Sequence, residues 1–200
     1  MPAAIEFYFD FSSPYGFLGS ERIEALAARH ARSVNWHPVL LGVVFKQTGA
    51  VPLTQVPLKG DYAKRDFARS ARLHGIAFRM PSVFPIATQA PARIVLWLQR
   101  GQPALAVAVL HALYRAFFVD DVDISSPDRA AAIAAQCGVD GAAARAAIDD
   151  PAIKDALKLA NEKAIAAGVF GSPFIIVDGE PFWGMDRLEQ IDRWLTTGGW

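Results

Sequence analysis

The chain has 200 residues, enough for one domain that buries about 70% of the surface its unfolded form exposes, without disulfides or a structural metal. Lys plus Arg and Asp plus Glu are both 20, so the formal net charge is zero, which argues against a dedicated nucleic-acid surface. The single cysteine, Cys137, excludes an internal disulfide and a CxxC redox pair, while the opening "MPAAIEFYFD" lacks the basic and apolar regions of a signal peptide and no apolar run reaches the roughly 20 residues of a membrane helix.

Residues 5 to 11, "IEFYFDF", read as a strand, and Ser13-Pro14 starts a helix, since the N–H that proline lacks would be unpaired at the first helical position anyway. Phe17, Leu18, Ile23, Leu26 and Ala27 carry the helical period to about His30, and "VNWHPVL", 34 to 40, reads as a second strand. From about residue 46 to 168 the texture changes. A proline-bearing loop, "GAVPLTQVPLKG", precedes an amphipathic helix in "DYAKRDFARSARLHG", and "RMPSVFPIAT" is irregular. Thr88 caps a helix through Arg100, and a strongly apolar helix covers 103 to 118. Ser126-Pro127 starts the next, a short helix covers 141 to 148, and Asp150-Pro151 starts another that Gly168 ends. The end returns to strand: "GSPFIIVDGEPFWG" reads as a hairpin turning at Asp178-Gly179. Asp186 is placed to cap a final helix in "RLEQIDRWL".

The order βαβ, helices, ββα predicts an α/β chain with a thioredoxin-like fold interrupted by a large all-helical insertion. The expected division is 1–45 and 169–200 for the discontinuous thioredoxin-like domain and 46–168 for the helical insertion. A hydrophobic share of 52%, much of it alanine, suits a broad buried or subunit-facing surface, and a homodimer in the cytoplasm is the expected state, with neither membrane nor nucleic acid as partner.

Three stretches carry candidate chemistry. In such a fold the first helix aims its N-terminus at the site, where free N–H groups and the helix dipole stabilise an anion, typically a thiolate. Ser13-Pro14-Tyr15-Gly16 stands where redox members place CxxC, so thiol–disulfide exchange is unavailable. Ser13 can instead donate to a thiolate supplied from outside, naturally that of glutathione, and lower its pKa; the plainer reading is an N-cap serine. "VFGSPF" sets Pro173 before a strand, where a cis-proline would turn the Ser172 backbone toward a bound peptide; alone, Gly-Ser-Pro is also an ordinary turn. In "FWGMDRLEQ", Asp186 can meet a cationic amino group or simply cap the helix, and N–H groups at the helix start can meet a carboxylate.

Taken together, "FYFDFSSPYGFLGSERI", "LKGDYAKRDFARSARLHGI", "ALYRAFFVDDVDIS" and "GVFGSPFIIVDGEPFWGMDRL" resemble the 2-hydroxychromene-2-carboxylate isomerases, within the superfamily of DsbA-like proteins and kappa-class glutathione transferases. The resemblance implies glutathione as cofactor and Ser13, rather than Ser12, as the residue that activates it. It implies glutathione contacts at Ser172, Pro173, Trp183, Gly184, Met185 and Asp186. Met185 departs from the small or polar residue usual there, so only its backbone would serve.

On the substrate side the resemblance implies a lysine from the loop after the second strand, Lys46, although the Gly-Asn often seen in the family is Gly49-Ala50 here. Lys59, Tyr62 and Phe84 are further candidates. Tyr62, Asp66 and Arg69 share a helix face, either a salt-bridged surface or a pocket wall; Phe84 and Pro85 suit either an aromatic pocket or the core. The four histidines, His30, His37, His74 and His111, show no metal-binding spacing, and no metal is expected.

The implied activity is a glutathione-dependent cis–trans isomerisation of 2-hydroxychromene-2-carboxylate or a similar 2-oxo acid from aromatic catabolism, by reversible thiolate addition. A kappa-like glutathione transferase and a non-redox DsbA-like thiol- or peptide-binding protein are the alternatives. Cys137 reads as a semi-buried structural thiol at a helix end.

Overall fold

The computed structural model describes residues 3–200, so the first two residues of the expected 1–45 segment lie outside the described residues. Strand β1 (Ile5–Phe9) alternates buried and half-buried side chains, sending Ile5, Phe7 and Phe9 into the main core. Helix α1 (Pro14–Arg29) follows, and β2 (Val34–Pro38) returns parallel to β1, with Phe7 opposite Trp36. Strands β3 (Phe174–Val177) and β4 (Glu180–Trp183) complete a sheet ordered β2-β1-β3-β4, with β3 antiparallel to both β1 and β4. The β3–β4 turn has positive φ at Asp178 and Gly179, 53° and 91°. Two consecutive left-handed residues match the right-handed twist of a tight hairpin. This is the βαβ–ββα arrangement of a thioredoxin-like fold.

Between β2 and β3 run α2 (Leu41–Thr48), a short 3₁₀ turn, α3 (Lys59–Leu73), α4 (Gln89–Gln99), α5 (Pro103–Phe118), α6 (Pro127–Gln136), α7 (Gly141–Asp149) and α8 (Pro151–Ala166). A second 3₁₀ turn leads into the final helix, α9 (Leu188–Thr197). The caps at Ser126 and Asp150 have the expected chemistry: their side-chain oxygens accept from Arg129 N–H and Ala152 N–H.

Both halves share one core. Phe7, Phe9 and Ile175 of the sheet belong to the same buried cluster as Ile94 of α4 and Leu110 and Tyr114 of α5. Tyr114 is fully buried, lies 4.9 Å from the Phe11 ring, and donates its hydroxyl to the Asp10 carbonyl at 2.9 Å. That bond ties the helical segment to the end of β1, where the chain enters the site. A smaller cluster, Val39, Ala164, Val169 and Phe174, seats α8 on the opposite face of the sheet.

Several expectations are corrected. The strands end at Phe9 and Pro38, short of residues 11 and 40. Lys46, expected in a loop, lies on a helix, α2. The start of α2 has no local cap. Its first N–H groups are met from a distance instead, Leu41 N–H by the Asp10 carboxylate at 2.6 Å and Leu40 N–H by Asn161 at 2.7 Å. Thr88 makes no side-chain cap bond to α4. Asp186 does not cap α9 either; it sits inside the 3₁₀ turn Met185–Arg187.

Candidate active site at the first helix N-terminus

The site is built where β1 delivers the chain to α1. Ser13 has extended backbone angles, and its Oγ accepts from Gly16 N–H at 3.0 Å, so the cap reading holds. The same hydroxyl donates to the Ser172 carbonyl at 2.7 Å, across 159 residues of sequence. The Ser172–Pro173 bond is cis, as the motif implied. Ser172 Oγ accepts from Asp10 N–H at 2.9 Å, so the turn before β3 and the turn after β1 are bonded twice. Gly16 sits under this contact: a methyl there would approach Ser172 Oγ to 2.7 Å and the Tyr114 hydroxyl to 2.8 Å.

No acidic residue occupies the first turn of α1, so the positive end of its dipole is uncompensated there. The nearest acid is Asp10, 4% exposed. Burial raises its pKa, while hydrogen bonds from the Ser12 and Leu41 N–H groups and from Thr88 pull the other way. Burial wins, and the net direction is upward.

A cavity of about 1300 Å³ opens above this floor, large enough for a tripeptide and an aromatic molecule together. Of the residues anticipated from sequence, it is lined by Ser13, Ser172, Gly184, Met185 and Asp186, and by Lys46, Tyr62, Phe84 and Trp183. Pro173 is buried behind the floor, its ring against Gly19. Lys59 is the exception. It is the first residue of α3, a turn ahead of Tyr62, and its exposed side chain does not reach the lining.

Gly184 has φ 108° and its N–H donates to the Pro173 carbonyl at 3.1 Å, joining the end of β4 to the cis-proline. An added Cβ would strike the Asp186 carboxylate, so the glycine is what lets that acid fold back beside the mouth. Trp183, 57% exposed, lies against Gly171 and makes an edge contact with Phe170 at 4.9 Å. Both readings of the Tyr62-Asp66-Arg69 face are realised. Arg69 pairs with Asp66, donates to the Tyr62 hydroxyl at 2.9 Å and sits 5.4 Å over its ring, and all three line the cavity. Tyr15 of α1 donates to the same carboxylate at 2.6 Å. Its pKa is raised by burial and by Asp66, so the phenol stays protonated and holds α1 to α3.

Sequence reading left part of the wall unassigned: Leu41 and Phe45 on α2, Ile86 beside Phe84, and Phe170. Phe170 was within sight in "VFGSPF"; Ile86 carried no signal. Cys137 does not line this cavity, and burial raises its pKa, away from the reactive thiolate.

A serine hydroxyl at the start of the first helix, facing a cis-proline across a βαβ–ββα sheet, defines a thioredoxin-like protein with no cysteine at that turn. A family model for the DSBA-like thioredoxin domain matches residues 4–196, and the chain belongs to that family. It is similar to a 2-hydroxychromene-2-carboxylate isomerase of Pseudomonas putida, 27% identical over 190 residues, 94% of this chain and 92% of that one. It is also similar to glutathione S-transferase kappa 2 of Caenorhabditis elegans, 27% identical over 205 residues, 96% of this chain and 91% of the other. Among solved structures, a 2-hydroxychromene-2-carboxylate isomerase superposes with a TM-score of 0.88 at 24% identity, covering 96% of this chain and 94% of that one. That likeness establishes the fold.

Proposed function

We propose that this protein is a glutathione-dependent isomerase acting on 2-hydroxychromene-2-carboxylate or a similar unsaturated 2-oxo acid of aromatic catabolism. The observation that carries the reading is the Ser13–Ser172 pair at the uncompensated α1 N-terminus, on the floor of a cavity with no cysteine of the chain in its lining. The residues fit glutathione. The Ser172 main chain can pair with its cysteinyl unit, Asp186 at the mouth can accept from its amino group, and Trp183 supplies a flat apolar flank. The relatives named for isomerase and kappa-transferase activity support the same choice.

Glutathione, when bound, supplies a thiolate that adds to a conjugated double bond, allows rotation and leaves again. The chain's part is to stabilise charge and hold geometry. In the free protein the Ser13 proton is given to the Ser172 carbonyl. Bound glutathione would be held by the Ser172 main chain and Ser13, and the Ser13 hydroxyl, if released from the Ser172 carbonyl, could donate to its thiolate. With the helix dipole, this favours the anion and lowers the thiol pKa. Lys46, which lines the cavity from α2, meets the substrate carboxylate. Phe84 and Ile86 pack the aromatic part. The enclosed site orients the reacting atoms and stabilises charge where it develops.

The kappa-like relative favours a second reading, a transferase that releases a thioether. Assays with hydroxychromene carboxylate and with chlorodinitrobenzene, each with and without glutathione, separate the two. Isomerisation that needs glutathione without consuming it is the expected result. Consumption of glutathione with the aryl chloride and no isomerisation would favour the transferase. No saturable heat with glutathione or an S-alkyl glutathione would leave a non-catalytic peptide-binding role.

A further inference from the structure

Two adjacent serines stand at the start of α1, and they are bonded to opposite walls of the cavity. Ser13 has its proton on the Ser172 carbonyl and a lone pair occupied by Gly16 N–H, so it belongs to the cis-proline side. Ser12 is turned the other way. Its Oγ accepts from the Ile86 N–H at 3.1 Å, 74 residues along the chain, and its own N–H donates to Asp10 Oδ1 at 2.7 Å. Both bonds hold Ser12 still. Neither uses its hydroxyl proton, which has no acceptor among the described residues. Ser12 is half-buried and lines the cavity beside Ile86, and Phe84 and Lys46 line the same cavity.

A preorganised donor with an unused proton, in a cavity that also holds an apolar wall and the Lys46 cation, fits a specific functional group. A 2-oxo acid brings a carboxylate for the cation, a neighbouring carbonyl oxygen for the hydroxyl and an apolar tail for the wall. We propose that Ser12 donates its hydroxyl hydrogen bond to the 2-oxo oxygen of the substrate, dividing the work of the serine pair: Ser13 toward the thiol, Ser12 toward the electrophile. The assignment rests on the substrate class proposed above. When a nucleophile's electron pair forms a bond at the far carbon of the double bond, the one β to the 2-oxo carbonyl, the double-bond pair moves to the next carbon–carbon bond and the carbonyl pair moves onto the 2-oxo oxygen. Reversal restores every bond. The Ser12 proton stays on Ser12 throughout, and its bond strengthens as that oxygen gains charge.

The test needs no turnover and no glutathione. Benzylidenepyruvate, an unsaturated aromatic 2-oxo acid, is titrated against the protein by tryptophan fluorescence, beside styrylacetate, which has a methylene where the oxo group stood. Ser12→Ala is expected to weaken benzylidenepyruvate about tenfold, the size of one hydrogen bond to a carbonyl in a buried site, and to leave styrylacetate unchanged. Ser12→Thr, which keeps the hydroxyl, restores binding. Equal losses for both probes in Ser12→Ala, or none for either, would overturn the assignment, as would a wild-type protein that binds neither. A parallel glutathione titration reports separately on the thiol reading: Ser12-dependent binding of the oxo acid with no glutathione binding would retire that reading and leave Ser12 in its role.

Discussion

Ser13 makes a cap bond and a long-range bond with one oxygen, so its replacement has two separable effects. Ser13→Ala leaves Gly16 N–H and the Ser172 carbonyl without their partner, costing about 1 to 2 kcal/mol of stability. Turnover falls further, by about tenfold to a hundredfold, because a charge-assisted bond to the thiolate is worth about 1.5 to 3 kcal/mol. Urea unfolding and steady-state rates on the same preparation separate the two, and a rate loss no larger than the loss of folded protein would remove Ser13 from the chemistry. Gly16 is the neighbouring weak point. Its missing side chain is what lets Ser172 and Tyr114 close on α1. Gly16→Ala is expected to lower stability by about 1 to 3 kcal/mol through overpacking and to lower turnover by opening the Ser13–Ser172 contact. A variant with wild-type unfolding midpoint and rate would show that this contact is not tight.

Between elements, the α1–α5 contact carries a pH-dependent clamp away from the site. His111 of α5 sits 3.0 Å from Glu24 and 3.6 Å from Glu21 of α1, and Arg115 pairs with Glu21 at 2.9 Å. Burial opposes the charge on His111, but the hydrogen bonds and field of Glu21 and Glu24 outweigh it, and its pKa is raised. The hydrogen bond from His111, against the cost of burial and with help from Arg115, lowers that of Glu21. The signs then follow. The His111 contribution is fully present below its unfolded pKa of about 6.5 and is lost as pH rises through the folded value. The Glu21 contribution is present above its unfolded pKa of about 4.3 and is lost as pH falls through the folded value. Unfolding midpoints measured from about pH 5 to 8 should therefore decline on the alkaline side, and His111→Gln should flatten that decline. An unchanged slope in the variant would assign it to other groups.

Over the whole molecule, the elements that announce themselves locally were legible in the sequence. The Asp178-Gly179 turn, the Ser126 and Asp150 caps and the apolar run of α5 each carry their cause within a few residues. What escaped was set by contacts across the fold. Helix α2 starts on Leu40, a residue with no capping chemistry, because Asp10 and Asn161 arrive from distant segments. Asp186 has the right side chain for a cap, but Gly184 bends it back toward the mouth. Lys59 lies on an amphipathic helix whose face points correctly, yet it stands beyond the end of the cavity. The serine pair was visible as letters; its division between two walls needed Ile86 and Ser172, which sequence distance hides.

The whole fold also predicts where the thiol comes from. Cys137 ends α6, is partly buried against the core and lies outside the cavity lining, so Cys137→Ser should keep full glutathione-dependent activity; a complete loss in a folded variant would mean that the chain supplies its own thiol. The most direct measurement is the ionisation of bound glutathione. On the proposed reading Ser13 and the α1 N-terminus favour the thiolate, and Asp10 is the buried acid that would oppose it. Titrating the ultraviolet absorbance of the thiolate in the complex should give a midpoint well below the free-thiol value of about 8.5, and Ser13→Ala should move it back up. A midpoint no lower than that of free glutathione, in a protein that binds it tightly, would contradict the account.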